Sequence, residues 1–123
     1  LRRNGAHDVD VDLTVLSSTM AYSEVYNMMY VPQDYIGKTI RMRGTCSVYE
    51  NEENGQVYYA CIIQDATACC AQGIEFALDD SYSYPDDYPG MGEDITVVGT
   101  FEIYAEDGSL YSRLKMSHME PNG

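Results

Sequence analysis

Residues 39–63 read TIRMRGTCSVYENEENGQVYYACII, and the spacing of their apolar residues is the main indication of the fold. Apolar side chains recur at every second position in its first half, which is the period of a β-strand with one buried face. Asn54 and Gly55 then supply the positive φ angles of a tight turn, and the alternation resumes at Val57. The stretch predicts a long β-hairpin whose first strand faces inward with Ile40, Met42, Gly44, Cys46 and Val48.

The chain before the hairpin predicts a single helix, over about Ser18–Tyr30. A serine can cap its start, and Pro32 ends it because the residue before a proline is pushed out of the α region. The apolar residues of this segment recur at helical spacing, which places them on one stripe. That stripe consists of Ala21, Val25, Met28 and Met29.

The chain after the hairpin predicts three more strands, over about residues 73–78, 95–103 and 110–119. Residues 79–94 contain two prolines, two glycines and six carboxylates, which are typical of a loop. The same period-two reading gives the last strand an inward face made of Leu110, Ser112, Leu114, Met116 and His118.

One helix followed by five strands, with a long break between the third and fourth strands, matches the layout of an OB-fold. Gly44 and Gly99 fall in mid-strand, where small barrels need a sharp bend or a bulge. A β-sandwich fits less well because it needs about seven strands. We therefore predict a mostly all-β protein, a five-stranded antiparallel OB-fold-like barrel with one N-terminal helix over its open end. Residues 1–14 are predicted to be a polar tether and residues 15–123 a single domain.

The chain is strongly acidic, with 20 acidic residues, 7 basic residues and a formal net charge of −13. Neutralisation of phosphates by lysine and arginine supplies most non-specific affinity for nucleic acid. We therefore expect that nucleic acid is not a partner of this protein. No stretch has the apolar length that a membrane-spanning helix needs.

The aromatic composition is unusual, with 12 tyrosines, two phenylalanines and no tryptophan. OB-folds bind through the face of their second and third strands, often by stacking of aromatic side chains. Tyr49, Tyr58 and Tyr104 are predicted to point outward and are the candidate ligand-binding residues. With so few cations nearby, they suit a protein, peptide or saccharide of the cell envelope. The alternative is that they are ordinary strand residues.

The four cysteines are the other candidate site. Cys46 and Cys61 face each other inside the predicted hairpin, either as small buried apolar residues or as a cross-strand disulfide. Cys69 and Cys70 are adjacent, without the two-residue spacing of paired zinc ligands. The alternatives for this pair are a thiol-redox site or zinc ligation, in which Asp65 and His118 would complete the ligand set.

The paired carboxylates of residues 79–94 do not predict an active site. Acid–base catalysis needs two carboxyls held at a defined separation in a cleft, and a loop does not supply that. Their spacing also fails to match the calcium loop of an EF-hand. We expect a solvated acidic loop, no enzymatic activity and no cofactor, with zinc only in the alternative centred on Cys69 and Cys70.

The run DATACCAQGIEF, residues 65–76, resembles an Asp-x-x-x-Cys-Cys-x-x-Gly-[Ile/Leu]-Glu-Phe motif of OB-fold-like lipoproteins from Gram-positive bacteria. The runs DYIGKTIRMRG and DITVVGTFEIY, which start at residues 34 and 94, extend the resemblance. It implies an extracytoplasmic, cell-surface-anchored binding module with no assigned activity. Such proteins are held by a lipidated cysteine ahead of the domain. Membrane association is therefore expected only through an anchor that this chain lacks.

Overall fold

The computed structural model describes residues 9–64 and 71–121. It contains one α-helix, α1 (Ser18–Tyr30), and two short 3-10 turns at Leu13–Val15 and Pro32–Asp34. The strands are β1 (Val11–Asp12), β2 (Thr39–Glu50), β3 (Val57–Gln64), β4 (Ala71–Leu78), β5 (Asp94–Glu106) and β6 (Ser109–Glu120).

The five long strands close into a barrel. The strands follow one another in the order β1-β2-β3-β4-β6-β5, and β5 also pairs with β2. This confirms the predicted barrel-like all-β fold with one helix. The prediction that the barrel is antiparallel throughout is wrong for one pair, because β4 and β6 run parallel. A closed ring of five strands cannot alternate in direction all the way around, so one neighbouring pair must be parallel.

The inward faces predicted for the first hairpin form part of the core. Ile40, Met42 and Cys46 of β2 are buried, and Cys46 lies directly opposite Cys61 of β3. Gly44 is needed between them, because a Cβ atom there would lie 2.3 Å from the backbone oxygen of Ile62. No side chain fits in so short a distance. Glycine is therefore required at position 44 by packing against β3, and not only by the bend that the sequence predicted.

Of the five residues predicted to face inward on β6, only Leu114 lies in the core. Met116 has a positive φ of 50°, and the pairing of β5 with β6 shifts register between Val98 and Thr100. This bulge adds a residue and reverses the alternation, as bulges do. Met116 is therefore 62% exposed, whereas Ser117 is fully buried. The remaining members of the predicted inward set that lie outside the core are Leu110, Ser112 and His118.

Helix α1 has the predicted limits and covers one end of the barrel. The Ser17 hydroxyl caps it by accepting a hydrogen bond from the Met20 N–H at 3.2 Å. Val25 and Met28 are fully buried in the core, and Ala21 packs against it. Met29 is 36% exposed, so it lies at the rim of the covered surface. No helix among residues 9–64 and 71–121 is long and apolar enough to cross a membrane.

The predicted tether extends too far into the chain. Val11 and Asp12 form β1 and pair in parallel with Ile40 and Arg41 of β2. Leu13 is buried in the core, so the folded domain begins before residue 15. The sequence did not predict this start of the domain, because the first dozen residues are mostly polar and the segment contributes only a short strand and one core side chain.

Candidate ligand-binding site

Tyr49, Tyr58 and Tyr104 line one pocket between the tips of two hairpins. Tyr49 lies directly opposite Tyr58 in the β2–β3 pair, and Tyr104 lies opposite Tyr111 in the β5–β6 pair. The pocket has a volume of about 230 Å³. Its other lining residues are Asn51, Glu75, Glu106, Asp107 and Tyr111. We call it the tyrosine pocket.

Each hairpin contributes one pair of packed aromatic rings to the tyrosine pocket. The rings of Tyr49 and Tyr58 are stacked, with centroids 6.2 Å apart and an interplanar angle of 27°. The centroids of Tyr104 and Tyr111 are 5.6 Å apart with an angle of 33°. Tyr49 is 62% exposed and Tyr111 is 46% exposed, so the outer ring of each pair borders solvent.

Two hydrogen bonds link strands that line the pocket, one from β3 to β5 and one from β5 to β4. The Tyr58 hydroxyl donates to Glu106 at 2.9 Å, and the Tyr104 hydroxyl donates to Glu75 at 2.5 Å. The pKa of Tyr104 is raised well above its usual range, mainly by burial and also by the hydrogen bond to Glu75. Burial also raises the pKa of Glu75, against the lowering effects of Tyr104 and Arg113. These contacts fix the inner ring of each pair.

Arg113 lies behind this network. Its guanidinium carbon is 4.2 Å from the centroid of the Tyr104 ring, a cation–π contact. Its Nε atom also donates to Glu102 at 2.5 Å, which neutralises the charge. Arg113, Tyr58 and Glu75 line a neighbouring pocket of about 330 Å³. The loop residues Tyr84 and Tyr88 line its other side.

Sequence reasoning missed Tyr111 and the carboxylates of the tyrosine pocket. A usable signal exists for Tyr111, since a turn at Asp107 and Gly108 puts that residue opposite Tyr104. No comparable local signal exists for Glu75 and Glu106. They meet Tyr104 and Tyr58 only because the barrel brings β3, β4 and β5 together.

The cysteine site that the sequence predicted is only partly described. Cys46 and Cys61 are buried free thiols, and burial raises the pKa of Cys61 to about 12. Cys69, Cys70 and Asp65 lie outside the described residues. His118 lies on the outer face, with its Nε2 atom 3.9 Å from a carboxylate oxygen of Glu120. Within the described chain, no three or more histidine, cysteine or acidic side chains form a group that could hold a metal ion.

No protein-family model matches the chain, and no curated protein matches it. A similar solved structure is the crystal structure of a "putative nucleic acid-binding lipoprotein" from Klebsiella pneumoniae. It is 15% identical, with a TM-score of 0.49 over 98% of this chain and 100% of that chain. The exclusion of nucleic acid that was drawn from net charge is contradicted by this finding and is withdrawn.

Proposed function

We propose that this protein is a non-enzymatic, extracytoplasmic binding module of the cell envelope that holds its ligand in the tyrosine pocket. The observation that carries the proposal is the convergence of Tyr49, Tyr58 and Tyr104, which come from separate strands, on one pocket. Rigid aromatic rings offer contact area at a low cost in conformational entropy. The envelope location rests on the resemblance of residues 65–76 to lipoproteins.

The chemistry of the pocket suits binding better than catalysis. The raised pKa of Tyr104 keeps its hydroxyl protonated near neutral pH, where it cannot act as a base. Its proton is already donated to Glu75, so the pair is satisfied internally. Such a network positions side chains and does not supply a mobile proton.

Two carboxylates of the 79–94 loop, those of Asp79 and Asp87, have local structural roles. Asp79 accepts hydrogen bonds from the backbone N–H and the hydroxyl of Ser81, at 2.9 and 2.6 Å. Asp87 accepts one from the backbone N–H of Ser83 at 2.8 Å. These bonds stabilise turns. They support the interpretation of this segment as a structured acidic loop and not as a hydrolytic site.

A mapping experiment with three chemically different probes tests the proposal. Isotope-labelled protein is titrated with choline, chitotetraose and hexathymidylate at up to millimolar concentration, and the amide resonances that shift are mapped. We expect at least one probe to shift amides of the β2–β3 and β5–β6 hairpin tips. Tyr49→Ala and Tyr111→Ala should weaken that binding without unfolding the protein, because both side chains are largely exposed.

The matched control is Tyr26→Ala on the outer face of α1. Tyr26 stacks on Tyr30 with centroids 6.3 Å apart. The substitution therefore disrupts a similar exposed pair of rings at a site far from the hairpin tips in sequence. This variant should leave binding unchanged. Shifts confined to α1, or no shift with any of the three probes, would overturn the proposed site.

A further inference from the structure

The charged side chains that line the tyrosine pocket are all negative. Glu75, Glu106 and Asp107 line it, and no basic side chain is among the described residues that do so. The nearest guanidinium, that of Arg113, is already paired with Glu102. The carboxylates that line the pocket outnumber the one guanidinium near it, so the pocket presents net negative charge beside aromatic rings, in a chain whose net charge is −13.

The hydrogen-bonding capacity left at Glu75 and Glu106 is for accepting. The hydroxyl protons of Tyr58 and Tyr104 are committed to Glu106 and Glu75. A carboxylate has two oxygens and about four acceptor positions, so each of these glutamates keeps most of its accepting capacity. A ligand that matches this surface brings donors or positive charge, and an anionic ligand would meet repulsion.

The aromatic rings add a second preference for positive charge. The face of a tyrosine ring attracts cations, and groups of such rings recognise organic ammonium ions. The Arg113 guanidinium carbon lies 4.2 Å from the centroid of the Tyr104 ring, so one ring of the pocket already makes a cation–π contact. The pocket volume of about 230 Å³ is below the range of roughly 300–1,000 Å³ for drug-sized ligands, so it suits a small head group.

From these observations we infer that the tyrosine pocket binds an organic ammonium group carried by a larger molecule. This inference rests on the proposed function and names the chemistry of its ligand. A quaternary ammonium head group and a lysine side chain share that chemistry. Both are attracted by tyrosine faces and by the carboxylates of Glu75, Glu106 and Asp107.

Charged probes and their neutral isosteres test the inference. Choline is compared with 3,3-dimethylbutan-1-ol, which has the same shape without the charge. Nα-acetyl-lysine amide is compared in the same way with the amide of Nα-acetyl-2-aminoheptanoic acid, whose side chain has a methyl group in place of the ammonium group. We expect at least one charged probe to bind in the pocket roughly tenfold more tightly than its isostere at low salt, with binding weakened by added salt. The arm that shows this preference identifies the source of the ammonium group.

Two variants remove the two attractive features separately. Tyr49→Leu removes one exposed ring and should weaken binding of the preferred cation roughly threefold or more. Glu106→Gln removes one charge while keeping a carbonyl acceptor for Tyr58, and it should weaken binding of the cation alone. Glu53→Gln is the matched control, since this exposed residue of the β2–β3 turn does not line the pocket. It makes the same change in net charge and should have no effect.

Equal binding of charged and neutral partners would overturn the inference. So would binding of chitotetraose or hexathymidylate in the pocket with no response to either ammonium probe. In that second case the proposed binding site would stand and only its ligand chemistry would be wrong. The absence of any pocket binding would instead overturn both proposals.

Discussion

Gly99 and Ser117 show how closely two strands of this barrel approach each other. A Cβ atom built on Gly99 would lie 2.1 Å from the Ser117 hydroxyl oxygen and 3.0 Å from its Cβ atom. Ser117 is buried and donates a hydrogen bond to the backbone oxygen of Leu114 at 2.9 Å. The serine hydroxyl therefore has its hydrogen-bond partner within β6, and the side chain fills the space beside the glycine on β5.

We expect Gly99→Ala to destabilise the protein by about 2 kcal/mol, because an extra methyl group in a packed core costs roughly 1–3 kcal/mol. Ser117→Gly removes two of the three closest atoms and leaves Leu114 Cβ at 3.0 Å, so the double variant should be more stable than the sum of the single effects predicts. Urea unfolding of the four proteins measures this coupling. Strictly additive changes in the free energy of unfolding would show that Gly99 and Ser117 are not coupled, so that β5 and β6 can move apart at little cost.

Cys46 and Cys61 are expected to be chemically silent in the folded protein. The thiolate is the reactive form, and burial raises the pKa of Cys61 to about 12. In a Cys69→Ser/Cys70→Ser background, a thiol reagent at about pH 8 should react with both thiols only after denaturant is added. Rapid reaction of the folded protein would contradict the observed burial. Two unreactive cysteines after denaturation would reveal the cross-strand disulfide.

Strand β6 marks the limit of what alternation can predict about an element. The pattern from Leu110 to His118 is regular in sequence, yet the chain inserts a bulge at Met116 and reverses its faces. The bulge depends on the opposing strand, where Gly99 leaves room for Ser117. Strands β2 and β3 were predictable because they are joined by a short turn at residues 51–56 and alternate without interruption on both sides of it, which fixes their register locally.

Helix α1 was predictable in its limits and in most of its buried stripe, but the residues of that stripe are not equally buried. Val25 is fully buried and Met29 is 36% exposed. We expect Val25→Asp to cost about 3 kcal/mol or more, since it places an unpaired charge in the core. Met29→Asp should cost about 1 kcal/mol or less, as for a rim position. Thermal and urea unfolding of both variants checks this, and equal effects would mean that the helix does not cover the barrel as described.

For the whole molecule, the sequence predicted the strands that carry the candidate site better than the site itself. It placed Tyr49, Tyr58 and Tyr104 on outward faces because each follows from strand alternation. It could not bring Glu75 or Glu106 to them, since those contacts arise between strands that are distant in the chain. Net charge was also too coarse a quantity to predict the chemistry of the site. It averages over the surface and does not describe the local chemistry of one pocket.

One polar cluster joins the two ends of the folded domain to its first long strand. Arg41 of β2 binds Asp12 of β1 at 2.9 Å and Glu120 of β6 through two bonds, at 2.9 and 2.8 Å. Asp12 also accepts hydrogen bonds from the backbone N–H and the hydroxyl of Thr14. Burial tends to raise the pKa of Asp12, but the bonds from Thr14 and Arg41 outweigh it, and the pKa is lowered.

Because the pKa of Asp12 is lower in the folded than in the unfolded chain, its ionised form stabilises the fold. That contribution is fully present above the unfolded value of 3.8 and is lost as pH falls through the lower folded value. We expect Asp12→Asn to reduce the free energy of unfolding by about 1.5–3 kcal/mol at neutral pH, the range of a hydrogen bond to a charged group. The difference from the unsubstituted protein should shrink steadily as the pH is lowered below 3.8. Asp86→Asn, in the exposed part of the acidic loop, is the matched control and should change stability little at any pH. A deficit of Asp12→Asn that stayed constant across the acid range would show that the carboxylate contributes only the shape of its side chain and not its charge.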